Sequence, residues 1–553
     1  MYRYFADEDI VFLAARAYTT MQLTTLKFIA LKSIYYTFCD IIIGMSMTTN
    51  EKIGNFIAHV RQERGMTQAE FAKKLGTSQS AVNRIEKGRQ NLSLETIARL
   101  SETLNKQLIT LSSGSVNLHI EGGHELHGRI TLKTSKNAAV GLLCASLLNH
   151  GVTRFKNFPR IEEVNRIIEV LESIGVVAKW LPGNDLELRR PENLVLDKLD
   201  KEAARRTRSI IMMIGSLMHD YPAFKLPYAG GCKLGARTVA PHLFALEQFG
   251  VNIKSTHGSY QVSVDKKAPG RIALYESGDT VTENALMAAA LTPAETQFQF
   301  ATGNYMVQDV CFFLQKLGVK IDGIGTSTPR VRGVDGIIKK NVTYAPAEDP
   351  IEAMFFVSAA VATNSNITIE RVPIDFMTLE LLKLKHMGLH YQITDRYKAE
   401  NGHTDLVDLT IHKHNGTLKA LAEKIHANVY PAGINQDNLP YFVPIATQCK
   451  GRTLIHDWTY ENRAIYYTEL TKIGASVELA DPHRVYILGQ TAFTKADLVC
   501  PPALRPASLL LIGMLAAEGK STLRNIYTIQ RGYEDLAERL NSLGAHIEVF
   551  QEL

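Results

Sequence analysis

This chain lacks paired cysteines. Its six, Cys39, Cys144, Cys232, Cys311, Cys449 and Cys500, lie far apart with no Cys-x-x-Cys pair, which argues against a disulfide framework and fits reduced thiols in a cytoplasmic protein. No histidine cluster stands at metal-ligand spacing, so no metal site is expected. A long uninterrupted apolar run is missing too. The apolar opening from Met1 to about Gly44 is broken by Lys27, Lys32 and Asp40 before it reaches spanning length, and no membrane partner is expected. Charge bias is weak: the formal net charge is +5 over 553 residues, so a basic binding surface has to be local. What remains is ordinary globular material, 45% apolar and 21% charged, enough for several cores and more than one domain. With Met45 and Met47 directly ahead of a well-formed domain, residues 1–46 read as a start assigned too early; the rival reading is an amphipathic arm.

Residues 51–112 read as an all-α domain. Ile53, Phe56, Ile57 and Val60 follow helical spacing up to Gly65. Thr67 and Glu70 form a capping box for a second helix through Phe71 and Leu75 to Gly76. Ser78 caps a third helix, with Val82 and Ile85 facing in and Gly88 closing it, and Leu94, Ile97 and Leu100 mark a fourth. Two short helices around a glycine turn, the second polar outside, suit a major groove. The run MTQAEFAKKLGTSQSAVNRIEKGRQNLSLETIARL resembles the phage-repressor-like helix-turn-helix family. That resemblance implies DNA as a partner, with Gln79, Ser80, Asn83 and Arg84 at base edges and Gln68 and Lys87 nearer phosphates. A bundle used only for dimerisation, giving a homodimer, is the alternative.

Beyond Ser115 a unit repeats: an amphipathic helix ends in an apolar residue and glycine, and a strand follows. It reads LESIGVVAKW at Gly175, LEQFGVNIK at Gly250, LQKLGVKI at Gly318, LKHMGLHYQI at Gly388, LTKIGASVEL at Gly474 and LNSLGAHIEV at Gly544. The spacing, roughly 70 to 85 residues, is too long for a solenoid, so each unit is a subdomain with its own sheet. Stretches such as NAAVGLLCASLL, IEAMFFVSAAVA and RPASLLLIGMLA are helices apolar nearly all round, hence buried on most sides. Two groups of three units, divided near 346–350, predict two lobes with a ligand cleft between them.

Six such units in two lobes resemble the enolpyruvyl transferase family over 115–553, and within it the branch that acts on UDP-N-acetylglucosamine. The fold class implied is α/β: a two-lobed enolpyruvyl transferase fold of six repeated βαβαββ-like subdomains, behind the helix-turn-helix domain. One lobe is 134–347 and carries a cysteine loop; the other is 115–133 plus 348–553. The substrates implied are phosphoenolpyruvate and UDP-N-acetylglucosamine, with release of phosphate at the first committed step of peptidoglycan synthesis, and no cofactor. Carboxyvinyl transfer needs an acid for the methylene carbon, a base for the sugar 3-hydroxyl and cations for phosphate and carboxylate. By resemblance Lys136 and Asn137 in TSKNAAV meet phosphoenolpyruvate and the sugar. Cys232 in GGCKLGARTVAPH is the general acid or the site of a covalent adduct, and the point of fosfomycin attack, with Arg237 binding an anion. Arg208, Arg463, Arg505 and Arg531 complete a cationic clamp, and Asp437 in NQDNLPYF is the base.

The match departs from the family at Ala240, Pro350, Ala503, Asn304 and Met306, where acids or an arginine are usual. These positions bear on the acceptor and the hinge, so the phosphoenolpyruvate chemistry is carried by more residues than the choice of acceptor. Two alternatives stay open: another nucleotide acceptor, and a transferase-like body that senses a ligand for a transcription regulator.

Overall fold

The structure, a computed structural model, describes residues 66–87, 115–228, 238–256, 258–428 and 433–551, with Gly54, Ile57, Ala58, Arg61 and Leu100. The chain divides into two compact units, Met1–Gly114 with Leu553, and Ser115–Glu552.

In the first unit, the Gln68–Leu75 helix starts at Thr67. The Thr67 hydroxyl accepts from the Glu70 N–H while the Glu70 carboxylate accepts from the Thr67 N–H, and Gly76 closes the helix in a left-handed conformation. Ser78 caps the Gln79–Glu86 helix. Ile57, Phe71, Leu75, Val82, Ile85 and Leu100 make one small core. Beside it the Arg61 guanidinium forks onto the Glu86 carboxylate at 2.5 and 3.0 Å. The helix boundaries expected at Gly65 and Gly88 lie outside the described residues.

Among its described residues the second unit holds six sheets. Three take their strands from 152–344. The other three take theirs from 116–131 and 366–551. The strand Val116–Gly122 therefore pairs antiparallel with Gly519–Arg524 and with His546–Gln551, and His127–Thr131 pairs parallel with Asn366–Pro373. The chain passes between the two groups at two points that run side by side: Ser135 N–H donates to Ala347 O at 2.9 Å and Asp349 N–H to Lys133 O at 3.0 Å.

The six repeat glycines have a common physical basis. Gly175, Gly250, Gly318, Gly388, Gly474 and Gly544 all have φ between 84° and 106°, a region closed to most side chains. Each stops a helix by reversing the backbone, and a strand starts within three residues. The apolar helices lie inside: every residue of Pro350–Ala362 is buried, as are all but Leu504 and Ala516 of Leu504–Ala516 and all but the first two residues of Lys136–Ser146.

Gly175→Ala is expected to lower unfolding stability by about 1–2 kcal/mol, because at φ 105° the added methyl strains the backbone. Gly270→Ala, where φ is not positive and nothing lies within 4 Å of the new atom, is the neutral control in the same denaturant titration.

Candidate active site

The polar residues collect where the two groups of sheets meet. Ser135 caps the Lys136–Ser146 helix by accepting from Ala138 N–H at 3.2 Å, which leaves Lys136 and Asn137 in the first turn with free amides beside them. Asn137 Nδ2 reaches Asp437 Oδ2 at 3.4 Å and the Tyr305 hydroxyl at 3.2 Å. Asp437 is in turn 3.5 Å from Arg463 Nη1 and 3.5 Å from Arg505 Nη2.

Arg463 is the largest fully buried side chain among the described residues, 1% exposed. Its Nε and Nη2 donate to the two oxygens of buried Asp457 at 2.6 and 2.8 Å, Nη2 also donates to Gln436 O at 2.6 Å, and its carbon centre sits 4.0 Å over the Tyr460 ring. Tyr467 donates its hydroxyl proton to Asp457 as well. Arg505, also buried, donates to the Tyr533 hydroxyl at 2.9 Å, and Tyr533 is hydrogen-bonded to Tyr441. Arg531 pairs with buried Glu163. Lys136 faces Glu163, Arg505, Asp437 and Arg531: burial pulls its ammonium below the ordinary lysine range, Glu163 and Asp437 oppose that, and the two arginines add to it.

The structure thus brings Lys136, Asn137, Asp437, Arg463, Arg505 and Arg531 into one cluster. Arg208 is tied instead to the segment before the Ala240–Glu247 helix, donating to Thr238 O at 2.8 Å. Cys232 and Arg237 lie outside the described residues. Asn304 caps the Tyr305–Leu317 helix, donates to Asp279 at 3.2 Å and accepts from Asn435 at 3.4 Å. Burial pushes the Asp279 carboxyl up to about 6, so a second acid at position 304 would crowd two carboxylates together; the amide instead bonds to both neighbours. Sequence reading missed Asp457, Glu163, Tyr305 and Tyr533. Asp457 and Arg463 stand six residues apart in HDWTYENR, a spacing that announces nothing in a non-helical segment.

On the small domain, Gln79, Ser80 and Arg84 are exposed and Asn83 is half-buried. Gln68 differs from expectation in one respect: its amide donates to Glu86 Oε2 at 2.7 Å, joining the Arg61–Glu86 pair rather than standing free. Among the described residues, no group of acids, histidines or cysteines is placed to hold a metal ion, and no helix is long and apolar enough to cross a membrane.

Mixed α/β sheets built on a sixfold helix-glycine-strand repeat, with a cationic cluster around one carboxylate where two groups of three sheets meet, define an enolpyruvyl transferase. Residues 120–540 match the EPSP synthase (3-phosphoshikimate 1-carboxyvinyltransferase) family and 57–111 match a helix-turn-helix family. The chain belongs to the enolpyruvyl transferase family, and its similarity there is to UDP-N-acetylglucosamine 1-carboxyvinyltransferases. It is 32% identical to the one from Bradyrhizobium diazoefficiens over 78% of this chain and 97% of that protein. It is 30% identical to one from Helicobacter pylori over 79% and 99%. Among solved structures, the enolpyruvyl transferase NikO from Streptomyces tendae shares the fold with a TM-score of 0.69 at 23% identity, over 80% of this chain and 100% of that one.

Replacing Asp457 by leucine leaves the Arg463 guanidinium buried without its fork. We expect a loss of about 3–5 kcal/mol in urea unfolding, whereas Glu478→Leu, at an exposed pair with Arg452, should cost under about 1 kcal/mol.

Proposed function

We propose that the body of this protein transfers the carboxyvinyl group of phosphoenolpyruvate to the 3-hydroxyl of UDP-N-acetylglucosamine. The observation that carries the reading is the convergence of Lys136, Arg463, Arg505 and Arg531 around Asp437, in a chain whose relatives bear that activity in their names. Asp437, an acceptor-only carboxylate when ionised, takes the proton of the sugar hydroxyl as its oxygen attacks C2 of phosphoenolpyruvate. The C3 methylene gains a proton, for which Cys232 is the donor, and a tetrahedral adduct forms. Loss of a proton from the new methyl group and departure of phosphate then give the enol ether. Throughout, the planar guanidinium groups and Lys136 hold phosphate and carboxylate while charge develops. Arg463 is pre-organised for this, since Asp457 and Tyr460 fix its plane before substrate arrives. Asn137, bonded to Asp437, orients the hydroxyl that the carboxylate deprotonates, and Arg208 and Arg237 add charge on the cysteine-loop side.

Phosphate release that requires both substrates is the test. Cys232→Ala and Asp437→Asn are each expected to cut kcat by about 10²-fold or more. Release from phosphoenolpyruvate with a different nucleotide sugar, and none with UDP-N-acetylglucosamine, would move the assignment to another acceptor, a reading favoured by Ala240 and Ala503. Absence of any turnover, with ligand-dependent DNA affinity, would replace the enzyme by a sensor.

For the small domain we propose DNA binding through Gln79, Ser80, Asn83 and Arg84. Asn83→Ala should cost about 1–3 kcal/mol on the preferred site and leave non-specific binding unchanged in a gel-shift titration at fixed salt. Equal loss on every sequence would contradict base readout.

A further inference from the structure

The Glu163 carboxylate has no part in the chemistry above, yet it pairs with one of the cations that perform it, Arg531, and lies within electrostatic reach of another, Lys136. It is the second residue of the Glu162–Ser173 helix, whose N-cap Ile161 supplies no side-chain bond. It is 7% exposed, and a buried carboxylate is costly unless its oxygens are taken. Both are. Oε1 accepts from the Thr207 hydroxyl at 2.9 Å and Oε2 accepts from Arg531 Nη2, 368 residues along the chain. Thr207 is itself 1% exposed and fixed from behind, since its hydroxyl oxygen accepts from Ser209 N–H at 3.2 Å. The carboxylate therefore has one orientation. It belongs to the group of elements between 134 and 347, whereas Arg531 follows the Tyr527–Gln530 helix of the other group.

We propose that Glu163 is a positioning residue, holding Arg531 and Lys136 together as one anion-binding pair built from both halves of the molecule. This rests on the function proposed above. Burial pushes the Glu163 carboxyl up, but Lys136, Arg531 and the two hydrogen bonds outweigh it and keep the group ionised below the usual range. In return Glu163 is the strongest influence keeping Lys136 protonated against burial, ahead of Asp437; Arg505 and Arg531 act the other way. Lys133, Asp349, Glu352 and Glu534 line the crevice beside Lys136. Burial lifts the Asp349 carboxyl only to about 6, so it titrates on the acid side. Tyr305 and Tyr533 are pushed well above the tyrosine range by burial. The part of an alkaline loss of phosphoenolpyruvate affinity that moves when the Glu163 charge is removed thus reports Lys136. Because the affinity needs the ammonium, it is present below the lysine's pKa and lost as pH rises through it, and removing the Glu163 charge moves that loss to lower pH.

The test is phosphoenolpyruvate binding by calorimetry on the full chain from about pH 6 to about pH 10, in a Cys232→Ser background that removes the thiol of the cysteine loop. Glu163→Gln should weaken binding about 10- to 100-fold and move the alkaline loss down by about one pH unit or more, while Glu163→Asp restores the position of the limb. Weaker binding with an unmoved limb would reduce Glu163 to a structural ion pair and overturn the proposal. If the parent protein binds no phosphoenolpyruvate at any pH, the function proposed above fails and this inference falls with it. Parent binding with an unmoved limb sinks the inference alone.

Discussion

Everything about this cleft follows from the cost of gathering like charges. Lysine and three arginines cannot be held together in a partly dry space unless each has a counter-group; Glu163 serves both Lys136 and Arg531, while Arg463 and Arg505 have partners of their own. Arg463 is neutralised permanently by Asp457, which has no exposed surface and is bound twice over. Arg505 leans on the Tyr533 hydroxyl and more loosely on Asp437, at 3.5 Å. Arg531 takes Glu163. The tightest compensation sits furthest from solvent, and the looser contact falls on Asp437, which is 20% exposed. A substrate anion can take over the loose contact without exposing a bare charge, whereas the Arg463–Asp457 fork never has to open.

Such a cluster demands a scaffold that does not yield. Helices like Pro350–Ala362, buried on every side, leave no face free to shift, and their small residues allow close approach: a Cβ on Gly141 would stand 2.6 Å from Glu283 Oε1 and one on Gly215 2.3 Å from Asn284 O. The site is assembled from distant sequence. Lys136, Glu163, Asp437, Arg463, Arg505 and Arg531 come from the starts and ends of helices and the turns between them, where backbone groups are left without helical partners. The paired crossings at Ser135–Ala347 and Lys133–Asp349 place Lys136 one residue from the point where the two halves join, so small changes there act directly on the anion site.

The repeat was legible because a left-handed helix stop leaves a glycine that no other residue replaces cheaply; six of them in one helix-glycine-strand frame disclosed a series of subdomains, and the family resemblance supplied the fold. The buried helices were legible from composition, and the capping box at Thr67 from spacing alone. Of the cluster, Lys136, Asn137, Asp437 and the arginines were found through family motifs, since a lone arginine carries no local mark of its destination. Glu163 and Asp457 escaped for a physical reason. Each is defined by what lies across the molecule from it, Arg531 or a buried guanidinium, and beside Glu162 in a first helical turn an acid reads as a dipole partner. Gln68 shows the converse: an exposed-looking polar residue in the sequence is partly committed to an internal ion pair.

The departures from the family pattern are structurally quiet. Pro350 occupies the first position of its helix behind the N-cap Asp349, where a missing N–H costs nothing, so losing an arginine there leaves the backbone undisturbed. Ala503 precedes the Leu504–Ala516 helix, 1% exposed, and packs with Tyr460, the ring that lies against Arg463. A small apolar residue at 503 therefore supports the cation platform from behind even as it removes a carboxylate from its neighbourhood. Asn304 keeps its cap and both of its bonds. All three changes leave the contacts that hold the cations in place, and each puts an uncharged residue where the family pattern has an arginine or an acid. What the cluster itself cannot vary is the balance between its cations and the carboxylates that pair with them.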